Sequence, residues 1–91
     1  MSACAHIVVK GYVQGVGFRY FAYRRALLFD LCGWVKNRSG GEVELEVEGE
    51  KGEINAFIDE LRVGPASAHV HDVIINWQEF RNRYTKFDIT Y

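Results

Sequence analysis

Between residues 42 and 48 apolar and polar positions alternate with a period of two. Val43, Leu45 and Val47 fall on one side, and Glu42, Glu44, Glu46 and Glu48 on the other. This is the pattern of a strand with one face in a core and the other in water. The glutamate side is therefore expected to be a wet, acidic sheet face. A helical period replaces it further on, where Ile54, Phe57, Ile58 and Leu61 stand at steps of three and four and Gly64-Pro65 stops the run. Phe18, Phe21, Ala22, Ala26 and Phe29 repeat the helical spacing earlier in the chain, with Arg24 and Arg25 free to reach solvent. That helix should end near Asp30, where aspartate is a tolerable but poor replacement for glycine if the backbone must turn left-handed.

The remaining apolar runs read as strands. Ala5 to Val13 is rich in β-branched residues and runs into Gly11 and Gly15. Gly33 to Asn37 leads into the turn Arg38-Ser39-Gly40-Gly41. In the segment from His69 to Trp77, residues Val73, Ile75 and Trp77 share one parity and Val70 does not, which predicts a bend or bulge between Val70 and Val73. Asn82 marks a turn, and Tyr84 to Tyr91 reads as a short closing strand.

The order is strand, helix, strand, strand, helix, strand, with a terminal strand added. Two amphipathic helices need one apolar sheet face to cover, which predicts an α+β, ferredoxin-like two-layer sandwich: βαββαβ with a mixed, largely antiparallel sheet, two helices on one face and a short C-terminal strand. A right-handed crossover through the first helix makes the second strand parallel to the first. The carboxyl ends of both strands then share a rim, where residues 14–19 and Asn37 can face one crevice.

At 91 residues the chain is expected to be a single domain, residues 1–91. Its net charge of −1 gives no general attraction to nucleic acid or to an anionic membrane. Locally the balance is uneven. Residues 14–38 carry Arg19, Arg24, Arg25, Lys36 and Arg38 against Asp30 alone, whereas residues 42–60 carry eight carboxylates against Lys51 alone. Such an asymmetry can focus an anion on one region of an otherwise neutral protein. The glutamates of 42–48 also argue against an RNA-binding sheet face, since they would repel a phosphate backbone. Neither a secretory signal nor a membrane-spanning apolar run is expected, so the location expected is cytoplasmic. Cys4 and Cys32 match no metal or redox spacing and leave a single disulfide as an open alternative to two thiols. His69 and His71 share a strand side, but two ligands are too few for a metal site.

The segment Gly11-Tyr-Val-Gln-Gly-Val-Gly-Phe-Arg19 lies where a strand gives way to a helix. Free amide hydrogens and the helix dipole favour an anion there. Gly15 and Gly17 permit the backbone angles of an amide nest around phosphate oxygens, and Arg19 adds a fork of donors able to hold two of them. No Gly-Lys-Ser/Thr follows, so this is not a Walker loop, and the third small position of a dinucleotide fingerprint falls on Tyr20. The candidate phosphate-binding residues are thus Gln14, Gly15, Val16, Gly17, Phe18 and Arg19. Across the rim, the carboxamide of Asn37 is able to accept a hydrogen bond from a water and donate one to a phosphoryl oxygen, holding that water in line with phosphorus. Asparagine at a strand end also serves as a turn former, and local sequence alone does not separate the two roles.

Two stretches carry a resemblance that spans nearly the whole chain. Gly11 through Arg19 is similar to G-x-V-Q-G-V-x-F-R, and Gly33-Trp34-Val35-Lys36-Asn37 with Gly41, Val43 and Gly49 is similar to G-W-V-K-N-x-x-x-G-x-V followed by a further glycine. Both are signatures of the acylphosphatase family. The resemblance implies a ferredoxin-like fold and metal-free, cofactor-free hydrolysis of the carboxyl–phosphate bond. It implies that Arg19 binds the phosphoryl group with the loop amides and that Asn37 orients the attacking water. The expected partner is a small acyl phosphate, with inorganic phosphate as product and inhibitor, acting on a monomer that needs no protein partner. Two departures from the common family pattern stand out: Gly40-Gly41 in place of Asp-Gly, and Phe29-Asp30 in place of Leu-Gly before the leucine that ends the first helix. Similar domains also occur inside larger carbamoyl-transferring proteins, so a non-catalytic phosphate-binding module of the same fold is the alternative.

Overall fold

The computed structural model describes residues 1–91, and its elements follow the order read from the pattern: β1 (Ser2–Tyr12), α1 (Phe18–Leu28), β2 (Cys32–Asn37), β3 (Val43–Glu50), α2 (Lys51–Val63), β4 (His69–Gln78) and β5 (Phe87–Ile89). The sheet order is β4-β1-β3-β2-β5. β1 pairs antiparallel with both β3 and β4, and β2 pairs antiparallel with β3 and parallel with β5. With β3 antiparallel to each, β1 and β2 run in the same direction and end on the same rim. Both helices cover one face. Ala22 and Ala26 of α1 and Ile54, Phe57, Ile58 and Leu61 of α2 join Ile7, Val9, Val35, Val43, Leu45 and Val47 of the sheet in one apolar core.

Details of local chemistry follow the sequence closely. α1 ends with Asp30 left-handed at φ 56. Leu31 N donates back to Ala26 O at 2.9 Å, closing the helix as a Schellman-type turn does. In β4 the expected bulge is present. Lys10 pairs with Asp72 and Gly11 with Val70, so His71 has no opposite residue. At the bulge Gly11 has φ 132, and a Cβ there would collide with the His69 carbonyl.

The second face of the sheet corrects the expectation of an exposed acidic surface. Glu46 and Glu48 are buried, at 7% and 3% exposure. Residues 79–86 fold across this face instead of forming the first part of a closing strand, which is limited to Phe87–Ile89. Glu48 accepts hydrogen bonds from Arg81 N (3.1 Å) and Arg83 N (2.8 Å). Glu46 accepts from Arg83 Nη2 (2.6 Å) and from the Tyr84 hydroxyl, which in turn accepts from Trp34 Nε1 at 3.1 Å. Burial, followed by the bond to Glu46, pushes the Tyr84 phenol above its usual value. Glu44 pairs with His6 Nε2 at 2.7 Å, and this hydrogen bond is the main reason its carboxyl lies below the ordinary range. Glu46 and Glu48 are therefore satisfied buried acceptors that anchor a loop.

The open question over the cysteines also closes. Cys4 and Cys32 both stand opposite Glu48, on strands either side of β3. Two inter-strand spacings separate them by roughly 9–10 Å, beyond the reach of a disulfide. Both are free thiols, and burial raises the pKa of each.

Candidate active site

Strand β1 delivers the chain to a loop, 13–17, that turns on two left-handed glycines, Gly15 (φ 74) and Gly17 (φ 77). A Cβ at either position would meet nothing within 4 Å. Backbone angle, not space, is what asks for glycine. Gly17 caps α1, no side chain accepts from the first amides of the helix, and its first turn holds no acidic residue. α2 is the contrast: the Glu50 carboxylate accepts from Gly52 N at 2.8 Å, and Glu53 lies in its first turn. The two helix starts are built differently. That of α2 is neutralised by its own side chains, and that of α1 presents its amide hydrogens and positive dipole end outward.

Arg19 is the second residue of α1 and is half-buried. It forms no salt bridge with any carboxylate of the chain. Its Nη1 donates to Thr90 O (3.3 Å), and its guanidinium lies 4.6 Å from the centre of the Tyr91 ring. Thr90 N in turn donates to Val35 O at 2.8 Å. The C-terminal strap thereby joins the arginine to β2, whose last residue is Asn37.

Arg19 and Asn37, eighteen positions apart, line the same cavity of about 260 Å³, together with Gly15, Gly17, Tyr20 and Tyr91. No aspartate or glutamate side chain lines it. A larger cleft of about 510 Å³ between α1 and β5 offers Lys86 as its single cation beside Asp30 and Asp88, an arrangement of the wrong sign for a phosphoryl group. No three His, Cys, Asp or Glu side chains cluster in a metal-binding arrangement.

The other residues of the expected cradle occupy distinct places. Phe18 lines the cavity wall and is buried in the core, at 2% exposure. Val16 is half-buried and packs against the core. Gln14 does something the sequence did not suggest. Its side-chain amide donates to Arg38 O (2.7 Å) and Glu42 O (2.9 Å), the two residues that flank the β2–β3 turn. These carbonyls also accept from Gly41 N and Arg38 N within the turn. The Gln14 side chain thus ties the loop of residues 13–17 to the hairpin that begins after Asn37, and leaves its backbone amide for an anion. With the tie in place, the Gly40-Gly41 turn is held from outside. Gln14→Leu is expected to lower kcat more than it raises KM, by about five- to tenfold, through loss of alignment between the loop and Asn37. Steady-state kinetics with benzoyl phosphate, beside a urea titration, check this.

Tyr91 and Thr90 were missed by sequence reasoning. The pairing of Phe87, Asp88 and Ile89 with β2 is what brings them to Arg19, and nothing in the local pattern announces a parallel contact between residues 33–35 and 87–89.

The family model described as Acylphosphatase matches residues 5–89. The chain is 51% identical over 81 residues to an acylphosphatase of Moorella thermoacetica, covering 89% of this chain and 87% of that one. It is similar in structure to an acylphosphatase from Bacillus subtilis, with a TM-score of 0.95 at 36% identity and full coverage of both chains. It also resembles a part of full-length HypF, with a TM-score of 0.86 and 31% identity over 99% of this chain but 12% of that one. A family match running through nearly every element, around a cavity that joins an uncapped helix start, an unpaired arginine and an asparagine, leaves one conclusion: this chain belongs to the acylphosphatase family.

Proposed function

We propose that this acyl phosphate hydrolase works by direct in-line attack of water on phosphorus, with Arg19 and the amides of residues 15–19 holding the phosphoryl oxygens and Asn37 holding the water. The observation that carries the reading is the cavity shared by Arg19, Asn37 and the two left-handed glycines. An anion seated against the start of α1 accepts amide hydrogens along the helix axis and two guanidinium hydrogens from Arg19. Asn37 then has an acceptor for one water proton and a donor for a phosphoryl oxygen.

The chemistry asks for little more. The oxygen–phosphorus bond breaks as water oxygen bonds to phosphorus. The electron pair leaves on a carboxylate, whose conjugate acid has a pKa near 4, so no general acid is needed. The proton of the attacking water passes to the phosphate product and then to solvent. What remains is charge neutralisation and alignment, which dominate phosphoryl transfer. A cavity with an arginine, amides and a carboxamide, and with no aspartate or glutamate side chain to hold a cation, fits a reaction without a metal.

We further propose that residues 1–91 act as one catalytic domain, a monomer that takes a small acyl phosphate and is inhibited by the phosphate it releases. Two free thiols, one buried and one half-buried, suit a reducing, cytoplasmic compartment. No helix is long and apolar enough to cross a membrane.

The test is hydrolysis of benzoyl phosphate by the purified protein in excess chelator. Full activity, competitive inhibition by inorganic phosphate and no trapped phosphoprotein are expected. Activity lost to the chelator and restored by a divalent cation overturns the metal-free reading, and a covalent phosphoenzyme overturns direct attack. A protein that binds phosphate without turnover would favour the accessory-module alternative.

A further inference from the structure

Tyr20 and Gly17 are walls of two cavities. One is the phosphoryl cavity with Arg19 and Asn37. The other, of about 290 Å³, shares these two residues and is otherwise lined by Phe21, Arg24, Arg25 and Pro65. It holds two guanidinium groups and no carboxylate. Their circumstances differ. Arg25 is neutralised by Glu60 of α2 at 2.7 Å and lies 4.6 Å from the Phe21 ring centre, so it serves to tie the helices together. Arg24 is exposed and makes no salt bridge. Its Nη1 donates to the Tyr20 hydroxyl at 3.4 Å, and its guanidinium lies 5.8 Å from the Tyr20 ring centre. Tyr20 is itself 57% exposed and is stacked on Tyr23 at 6.3 Å, with 26° between the rings.

Along α1 the helix start is thus followed by the ring of Tyr20 and then by Arg24, carried one helical turn further on, with its guanidinium 5.8 Å from the ring centre. We propose that Tyr20 and Arg24 form a subsite for the acyl portion of the substrate, selective for acyl phosphates that carry a second anionic group on the acyl chain or ring. The inference rests on the placement of the phosphoryl group at residues 15–19 set out above. Tyr20 supplies a face for the acyl carbons, and Arg24 supplies a charge-assisted hydrogen bond to the distal anion. Because the site is open, the contact is screened by water and salt, and it acts on substrate choice instead of on the chemical step.

The test compares 4-carboxybenzoyl phosphate with benzoyl phosphate, which differ only in an anion across the ring from the phosphoryl group. The quantity read is the ratio of their kcat/KM values, in wild type and in Arg24→Gln, Arg24→Lys and Arg38→Gln. Arg38 is a second exposed cation near Asn37 that does not line either cavity. The ratio is expected to fall about three- to fivefold in Arg24→Gln, mainly through KM. It should be largely retained in Arg24→Lys, unchanged in Arg38→Gln, and reduced in wild type by 0.5 M salt (roughly a 4 Å screening length). A ratio unchanged in Arg24→Gln, or lowered equally in Arg38→Gln, overturns the subsite. If Arg19→Ala still hydrolysed benzoyl phosphate, the phosphoryl placement itself would fall. If that variant is inactive while the Arg24→Gln ratio stays at the wild-type value, only the subsite falls.

Discussion

Arg19→Ala is expected to lower kcat/KM for benzoyl phosphate by about a thousandfold or more and to weaken competitive inhibition by inorganic phosphate in parallel. The size follows from what the guanidinium supplies. In the proposed mechanism it makes two charge-assisted hydrogen bonds to oxygens whose charge shifts in the transition state, in a cavity with no other cation to take over. Stability is expected to change little. The side chain contributes one hydrogen bond, to Thr90 O at 3.3 Å, and a stack on the Tyr91 ring, a loss of about 1 kcal/mol. A urea titration should therefore give a midpoint close to that of wild type. Arg19→Lys should recover only a small part of the activity, because an ammonium is a point charge that does not grip two oxygens in a plane. Turnover near the wild-type rate in Arg19→Ala would remove the phosphoryl site from this end of the sheet.

Asn37→Ala is expected to act differently. kcat should fall by roughly a hundredfold or more, while KM and inhibition by phosphate stay close to wild type. In the proposed mechanism the carboxamide acts on the water and on alignment, and the phosphoryl group keeps Arg19 and the loop amides. The fold should be retained, since the backbone of Asn37 is paired with Val43 at the end of the β2–β3 ladder and a side-chain change leaves that pairing in place. Asn37→Asp should not restore activity. A carboxylate has no donor for the phosphoryl oxygen and repels it. Measuring kcat and KM separately for the two variants distinguishes a binder from a water-positioning residue. A drop confined to KM in Asn37→Ala would assign it to binding.

Most of the architecture was legible because it is written in short-range periodicity. The alternation over 42–48, the steps from Ile54 to Leu61 and the parity break after Val70 each report on a neighbour two, three or four residues away, and the structure has β3, α2 and the β4 bulge there. The left-handed Asp30 follows the same logic, since one backbone angle decides it. The glutamates of β3 show the limit of such reasoning. Their spacing tells that they leave the helix-covered face, but it is silent on what lies over the other one. Glu48 is met by the amides of Arg81 and Arg83, and Glu46 by Tyr84, more than thirty residues further along.

The sequence by itself determined which residues face the helices, where the loop after β1 turns left-handed, and that Arg19 and Asn37 lie at the carboxyl ends of parallel strands. Each of these is a property of backbone angle, side-chain period or the hand of a crossover, and so is encoded locally. Only the tertiary structure decided what surrounds the site. It turned the Gln14 side chain to the hairpin, laid Thr90 and Tyr91 against Arg19, left Arg24 without a carboxylate, and covered the acidic face with residues 79–86. These contacts join groups distant in the chain, and whether a polar side chain is solvated, buried or pointed at a substrate depends on which distant segment arrives to pair with it.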